Sequence, residues 1–239
     1  MLRRCMSSLL HQKVPISHIV VVDDASPIPV YTVLPESSTI RIIRLNRKSG
    51  PAQARNIGLK IALAEKAEII AFTDMDCIPS SNWSEAILTK LYTERHREII
   101  MCGRTISYGT TLLDKYHDIC GTLNGRRNLN TDTLLYGTTC NMALTHSIAQ
   151  KVKFDPSFPT SACEDIDFCL QARREGAVLI YDSNMVVYHD YGYRNNTLRN
   201  ILVFALRFFK YGANEPLLIS KHPDYRYEVV VSAEIPSDE

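Results

Sequence analysis

Asp74 and Asp76 stand one residue apart, directly after the apolar run Ile69, Ile70, Ala71 and Phe72. In extended chain, alternate side chains point the same way, so both carboxylates can face one divalent cation. Carboxylate oxygens suit Mg²⁺ or Mn²⁺, and an ion held there would clamp a diphosphate and stabilise the charge left on it. A solvated turn with two surface acids is the plain alternative. The preceding hydrophobic strand favours the ligand role.

Other residues form comparable groups. Asp23 and Asp24 close the run Ile19, Val20, Val21, Val22 and precede Ala25-Ser26-Pro27, which forces a turn. A carboxylate there can accept hydrogen bonds from a base N–H or a ribose hydroxyl, or simply cap the turn. Arg55 and Asn56 fall in the first turns of a helix, where a guanidinium adds to an anion-attracting dipole or stays an ordinary surface cation. Glu164, Asp165 and Asp167 crowd one helix start. The helix dipole stabilises all three, but one that faces a cleft can serve as general base toward a hydroxyl. His189 ends a short strand and is followed by Asp190, a residue able to orient its ring within an Asp/His metal shell.

Those residues need elements to hold them. Residues 18–22, 40–45 and 69–72 read as buried strands, and Pro51 opens a helix continuing over 52–66. A further helix starts near residues 80–82 and carries Trp83, Ile87, Leu88 and Leu91. Strand, helix, strand and helix with short links imply an α/β chain with a mainly parallel sheet covered on both faces. Acids then gather at the carboxyl ends of the strands, where open α/β sheets bind ligands. Residues 121–133 read as a mobile polar loop, 134–144 as extended, and 164–175 as a helix that Gly176 terminates. Short strands are expected at 178–181 and 185–189, and a helix at 197–211. Leu2, Met6, Leu9 and Leu10 repeat at helical spacing over 2–12, in a segment whose Arg and Ser would also suit a transit peptide.

Composition removes several classes of function. Among 239 residues the formal net charge is +1, so no global field draws the chain to nucleic acid. No apolar run approaches the roughly 20 residues that span a bilayer. Seven cysteines, an odd number with no C-x-x-C pair, argue against a disulfide framework or structural zinc and for buried thiols in a reducing, cytoplasmic setting. Neither G-x-G-x-x-G nor G-x-x-x-x-G-K-[ST] occurs, so a nucleotide would be held by acids and a metal rather than by a glycine cradle.

In order along the chain, five segments resemble the family 2 glycosyltransferases and their GT-A fold. They are Val20 to Ser26, Asn46 to Gly58, Asp74 to Asp76, Gly137 to Ala143 and Cys163 to Arg173. The resemblance implies a single GT-A domain over 1–239: a nucleotide-sugar half at 1–104, an acceptor half with a smaller mixed sheet at 105–195, and a C-terminal helix and tail at 196–239. It implies inverting hexosyl transfer from a nucleotide-sugar donor, a UDP-sugar being favoured, to a glycan, glycoprotein or glycolipid acceptor. By position, Asp24 resembles the base-recognising acid and Arg55 a donor-binding arginine. Asp74 resembles the acid beside ribose or metal, Asp76 the metal ligand, His189 a further metal ligand, and Asp165 the catalytic base, with Mn²⁺ or Mg²⁺ as cofactor.

Two departures stand beside the resemblance. The family's opening strand, inside the nucleotide-binding sheet, has no counterpart ahead of the first helix; residues 227–236 have strand character and are a candidate replacement. Gln-x-x-Arg-Trp, the processive-synthase pattern, is absent, which favours single addition. The helix at 197–211 either packs beside the acceptor site or lies on a membrane surface through Phe204, Phe208 and Phe209. The readings that compete with transfer are a truncated or nonenzymatic nucleotide-sugar-binding module and a metal-dependent nucleotidyltransferase or phosphohydrolase.

Overall fold

The computed structural model describes residues 1–94, 98–127, 133–195, 197–226 and 229. The amino-terminal half runs α1 (Leu2–Leu10), β1 (Ile19–Asp23), β2 (Ile40–Arg44), α2 (Pro51–Ala64), β3 (Ile69–Thr73), β4 (Cys77–Pro79) and α3 (Trp83–Thr93). It continues with β5 (Ile99–Ser107), α4 (Leu112–Cys120), β6 (Arg126–Arg127), β7 (Leu134–Tyr136), β8 (Asn141–Thr145) and α5 (His146–Lys151). The last elements are α6 (Glu164–Arg174), β9 (Val178–His189), α7 (Leu198–Ala213) and α8 (Glu215–Lys221). Among the described residues no helix is long and apolar enough to cross a membrane.

The α/β expectation holds, and the sheet is mixed. β1 and β2 pair in parallel as a separate ribbon, while the main sheet has the order β3-β8-β5-β9-β4. Only β5 and β9 are parallel in it; the other three pairings are antiparallel. Among the described residues nothing pairs with β1 beyond β2, or with β3 beyond β8, so no strand lies between these two units. Of the candidate replacement at 227–236, all but Val229 lies outside the described residues.

Side-chain alternation along β5 builds two cores. Ile99 and Met101 enter a core with α1 and α3, through Cys5, Met6, Trp83 and Ile87. Ile100 and Cys102 face the opposite way, into a core with α2, α5 and α6, through Leu59, Ile148 and Phe168. A sheet covered on both sides needs central strands that are apolar on both faces, and the run Ile-Ile-Met-Cys supplies one. Each such fully buried side chain contributes roughly 1.5–3 kcal/mol of transfer free energy.

Three segments depart from their expected form. Residues 178–181 and 185–189 are one strand, not two: β9 pairs Asp182 with Gly103 and then Val186 with Arg104, bulging out the residues between. The bulge is held by Asn141, whose Nδ2 donates to the carbonyls of Met185 at 2.9 Å and Arg104 at 3.1 Å. Gly103 is required there, since a Cβ would stand 1.9 Å from the Met185 carbonyl oxygen. The extended stretch 134–144 is broken between β7 and β8, and that break enters the site described below. Within 121–133 the chain forms β6, paired with β7, while residues 128–132 lie outside the described residues.

Candidate active site

The acids after β3 sit where strand, helix and loop ends converge. Asp74 and Asp76 flank Met75, which is 57% exposed. The three residues form the turn between β3 and β4, closed by the Cys77 amide on the Asp74 carbonyl, rather than the extended chain expected from the sequence. The Asp76 carboxylate lies 3.6 Å from His189 Nε2. β4 pairs with β9 so that Cys77 stands directly opposite His189, and the ligand atoms of Asp76, Cys77 and His189 all lie within 4.8 Å of one another. Burial holds the His189 imidazole below its ordinary pKa against the pull of Asp76 and Asp74. Burial likewise raises Asp76, opposed by His189 and assisted by Asp74. A neutral imidazole whose Nε2 faces a partly desolvated carboxylate across 3.6 Å fits a divalent cation held between them, which would relieve the burial of the carboxylate's charge.

Asp190 does not orient His189. Its carboxylate accepts from Arg194 at 2.8 and 3.0 Å, from Arg4 at 3.2 Å and from the Gly192 amide, and those partners hold it below the usual carboxylate range. Two guanidiniums outcompete a neutral ring for a buried carboxylate, and the contact pins α1 to the end of β9. α1 reaches the acids as well, where the Cys5 thiol donates to the Asp74 carbonyl at 3.5 Å.

The three acids at the start of α6 have three different surroundings. Glu164 accepts from Arg55 at 2.5 Å, and Arg55 also reaches Asp74 at 3.4 Å. Arg55 is therefore no surface cation: its side chain is 13% exposed, lies over the Phe154 ring and is bound between acids from both halves. Asp167 is fully buried and accepts from His222 and Lys221, both at 2.8 Å, which fastens α8 against α6. Asp165 is half-buried and takes its hydrogen bonds from backbone, the Ile166 amide at 2.9 Å and the Thr139 amide at 3.4 Å. Burial raises its pKa against Arg55 and these amides.

The break between β7 and β8 brings the two halves together. Thr73, at the end of β3, donates to the Cys140 carbonyl at 3.0 Å, and the neighbouring Thr139 amide donates to Asp165. Asp165 is further fixed by the helix entry, where Cys163 takes a positive φ of 69° that costs a non-glycine residue of order 1 kcal/mol. Asn214, between α7 and α8, holds that entry by donating to the Ala162 carbonyl at 2.8 Å.

The tandem acids after β1 divide their work. Asp23 is buried and accepts from the Ser26 and Val30 amides and from Arg44, its register partner on β2. Burial opposes its charge, but these donors prevail and bring it down to about 2. Asp24 accepts from the amides of Ser49 and Gly50 at 2.6 and 2.9 Å, so it anchors the loop that leads into α2. Gly50, with φ of 88°, lets that loop turn into the helix.

The family model for Glycosyl transferase family 2 matches residues 1–152, well over half of the 239. The chain belongs to glycosyl transferase family 2. This family member is 28% identical over 240 residues to the pre-mycofactocin glycosyltransferase of Mycobacterium tuberculosis, in alignments covering 97% of the chain and 47% of the relative. It spans about half the length of the curated relatives it matches. Among solved structures it is similar to GalNAc-T7 crystallised with UDP, GalNAc and Mn²⁺, with a TM-score of 0.61, 15% identity, and 80% and 41% of the two chains covered. It is also similar to residues 1–349 of S. aureus TarS in complex with UDP-GlcNAc, with a TM-score of 0.57, 17% identity, and 80% and 55% covered. The fold is therefore GT-A.

The structure also brings in residues that sequence reasoning passed over. Cys77 has no distinguishing spacing and enters the site only through its pairing opposite His189. Glu164 could be told from Asp165 and Asp167 only by the partner each meets in space. His222 and Lys221 lie more than 50 residues from Asp167 in sequence, in a segment with no motif.

Proposed function

We propose that this family member transfers a single sugar from a nucleotide-sugar donor, a UDP-sugar being favoured, to an acceptor hydroxyl with inversion. One observation carries the reading: Arg55 ties Asp74 to Glu164, so the acids after β3 and the half-buried Asp165 share one cleft. Family membership and the UDP-bound neighbours support the donor class.

Asp76 and His189 would hold Mn²⁺ or Mg²⁺, which supplies Lewis-acid stabilisation of the leaving diphosphate. Asp165 accepts the proton of the acceptor hydroxyl as its oxygen bonds to the anomeric carbon. The bond from that carbon to the diphosphate oxygen breaks on the opposite face, and the nucleoside diphosphate leaves with the electron pair. A raised carboxylate pKa improves Asp165 as a base while backbone amides keep it aimed. Arg55 holds Asp74 and Glu164 in place and keeps compatible the negative charges collected around it. Asp24 supports the donor half at 1–104 by fixing the loop into α2.

The test is a pair of titrations and an assay. Asp165→Asn is expected to abolish transfer while donor affinity, measured calorimetrically with UDP-sugars and Mn²⁺, stays within about twofold. Transfer by Asp165→Asn at the wild-type rate overturns the base assignment. Donor binding without turnover by the wild-type chain overturns the transfer reading in favour of a nonenzymatic module. Phosphate release without an acceptor overturns it in favour of a phosphohydrolase.

A further inference from the structure

α7 was expected to use Phe204, Phe208 and Phe209 together if it met a membrane, and the structure separates them. Phe204 and Phe208 turn inward, with ring centroids 5.1 and 5.9 Å from Tyr116, and both border the buried His117. Arg207 turns inward too, donating to the Tyr191 carbonyl at 3.1 Å and the Tyr193 hydroxyl at 3.3 Å. The opposite face is left with Leu198, Ile201, Leu202, Leu206 and Phe209, exposed by 48–80%. α4 packs on the inner face of α7 through Tyr116 and adds exposed apolar side chains of its own, Leu112 and Ile119, 67% and 86% exposed. Along its 16 residues α7 buries none, although its inner face meets aromatic partners.

The charge around the patch has one sign. Residues 191–214 contain Arg194, Arg199, Arg207 and Lys210 and no Asp or Glu. Arg199 and Lys210 are exposed and share one flank of the apolar face, being three turns apart, while Lys115 is exposed on α4. Of the nearby acids, Asp114 is buried in the capping box with Thr111, Asp118 is exposed but accepts from the Ser107 amide, and Glu215 is exposed at the start of α8 beyond the last turn of α7. An apolar helical face flanked by cations, on a helix that carries no acid, matches an anionic bilayer, which takes up the side chains and pairs lipid phosphates with the cations.

We infer that the outer face of α7 docks on the surface of an anionic lipid bilayer. The inner face of the same helix is linked to the candidate site: Phe204 and Phe208 border His117, Tyr191 stacks on His117 at 3.9 Å, and Tyr191 lies 4.3 Å from His189. Resting on the transfer reading, docking here brings the site within reach of an acceptor carried in that bilayer.

The experiment is co-sedimentation of the full chain with phosphatidylcholine vesicles, with and without about a third phosphatidylserine. Binding to the anionic vesicles is expected to exceed binding to neutral ones about tenfold and to weaken with salt. The double variant Leu202→Glu/Phe209→Glu, at exposed positions, is expected to lose binding with its thermal unfolding unchanged. Arg199→Glu/Lys210→Glu is expected to lose the preference for anionic vesicles. Equal binding by wild type and the first variant overturns the inference. So does a dimer, measured by light scattering, that the first variant dissolves while vesicles stay unbound; the face then belongs to a second copy. Sedimentation is read without turnover, so failure of docking and failure of the transfer reading are separate results.

Discussion

Glu164 accepts a 2.5 Å hydrogen bond from Arg55, yet burial and the adjacent Asp165 still push its carboxyl up to about 7. The next residue along the helix takes its hydrogen bonds from backbone amides. Two neighbouring acids thus have different supports: Glu164 is held by a guanidinium and Asp165 by backbone amides.

Stability should record the shift of Glu164. Its folded pKa lies above the ordinary 4.5, so between those values the native state holds more protons than the unfolded state, and stability falls as pH rises from 4.5 through about 7. Glu164→Gln should flatten that decline, seen as Tm against pH. At neutral pH the lost pairing to Arg55 should cost about 2–4 kcal/mol, because the guanidinium keeps Asp74. An unchanged Tm profile would separate Glu164 from the decline.

Asp23 has the reverse sign. Its folded pKa of about 2 lies below the ordinary 3.8, so its stabilisation is fully present above that value and disappears as pH falls through 2. The difference corresponds to about 2 kcal/mol at neutral pH. Asp23→Asn should remove this share of the acid transition in urea melts at pH 3 and pH 6, with the larger loss at pH 6. Equal losses at both would show that the ionised charge of Asp23 is not what stabilises the fold.

Metal dependence should run through one side chain from β9. His189→Ala should weaken Mn²⁺-dependent UDP-sugar binding at least about tenfold, while the metal-free component of binding stays as in wild type. Calorimetry with and without the ion makes the comparison. A loss of equal size in both conditions would mean that the ring only shapes the donor pocket.

Much of this was legible in sequence because strands announce themselves. Four β-branched residues before Asp23, and apolar residues before Asp74, mark strands buried on both faces whose carboxyl ends must carry polar groups to the surface. The order of five short segments was enough to place the chain near its family. Pairing was not legible in the same way. Whether β3 lies beside β1 or β8 depends on contacts between distant residues, and the local pattern of an apolar strand is the same in parallel and antiparallel neighbours. The bulge in β9 depends on Asn141 and Gly103, from two other strands, which is why it read as a gap between two strands.

The sequence by itself determined most of the elements and the supply of acids at the strand ends, because those follow from local periodicity and side-chain chemistry; the strands β1, β2 and β3, expected to be buried, are only partly so. Only the tertiary structure decided what each charge does. Asp190 went to Arg4 and Arg194 rather than to His189, Arg55 went between two acids, and α7 turned one set of aromatics inward and left another apolar face outside. Coulomb energy and desolvation depend on distance and on what excludes water, and neither quantity exists until the chain has folded.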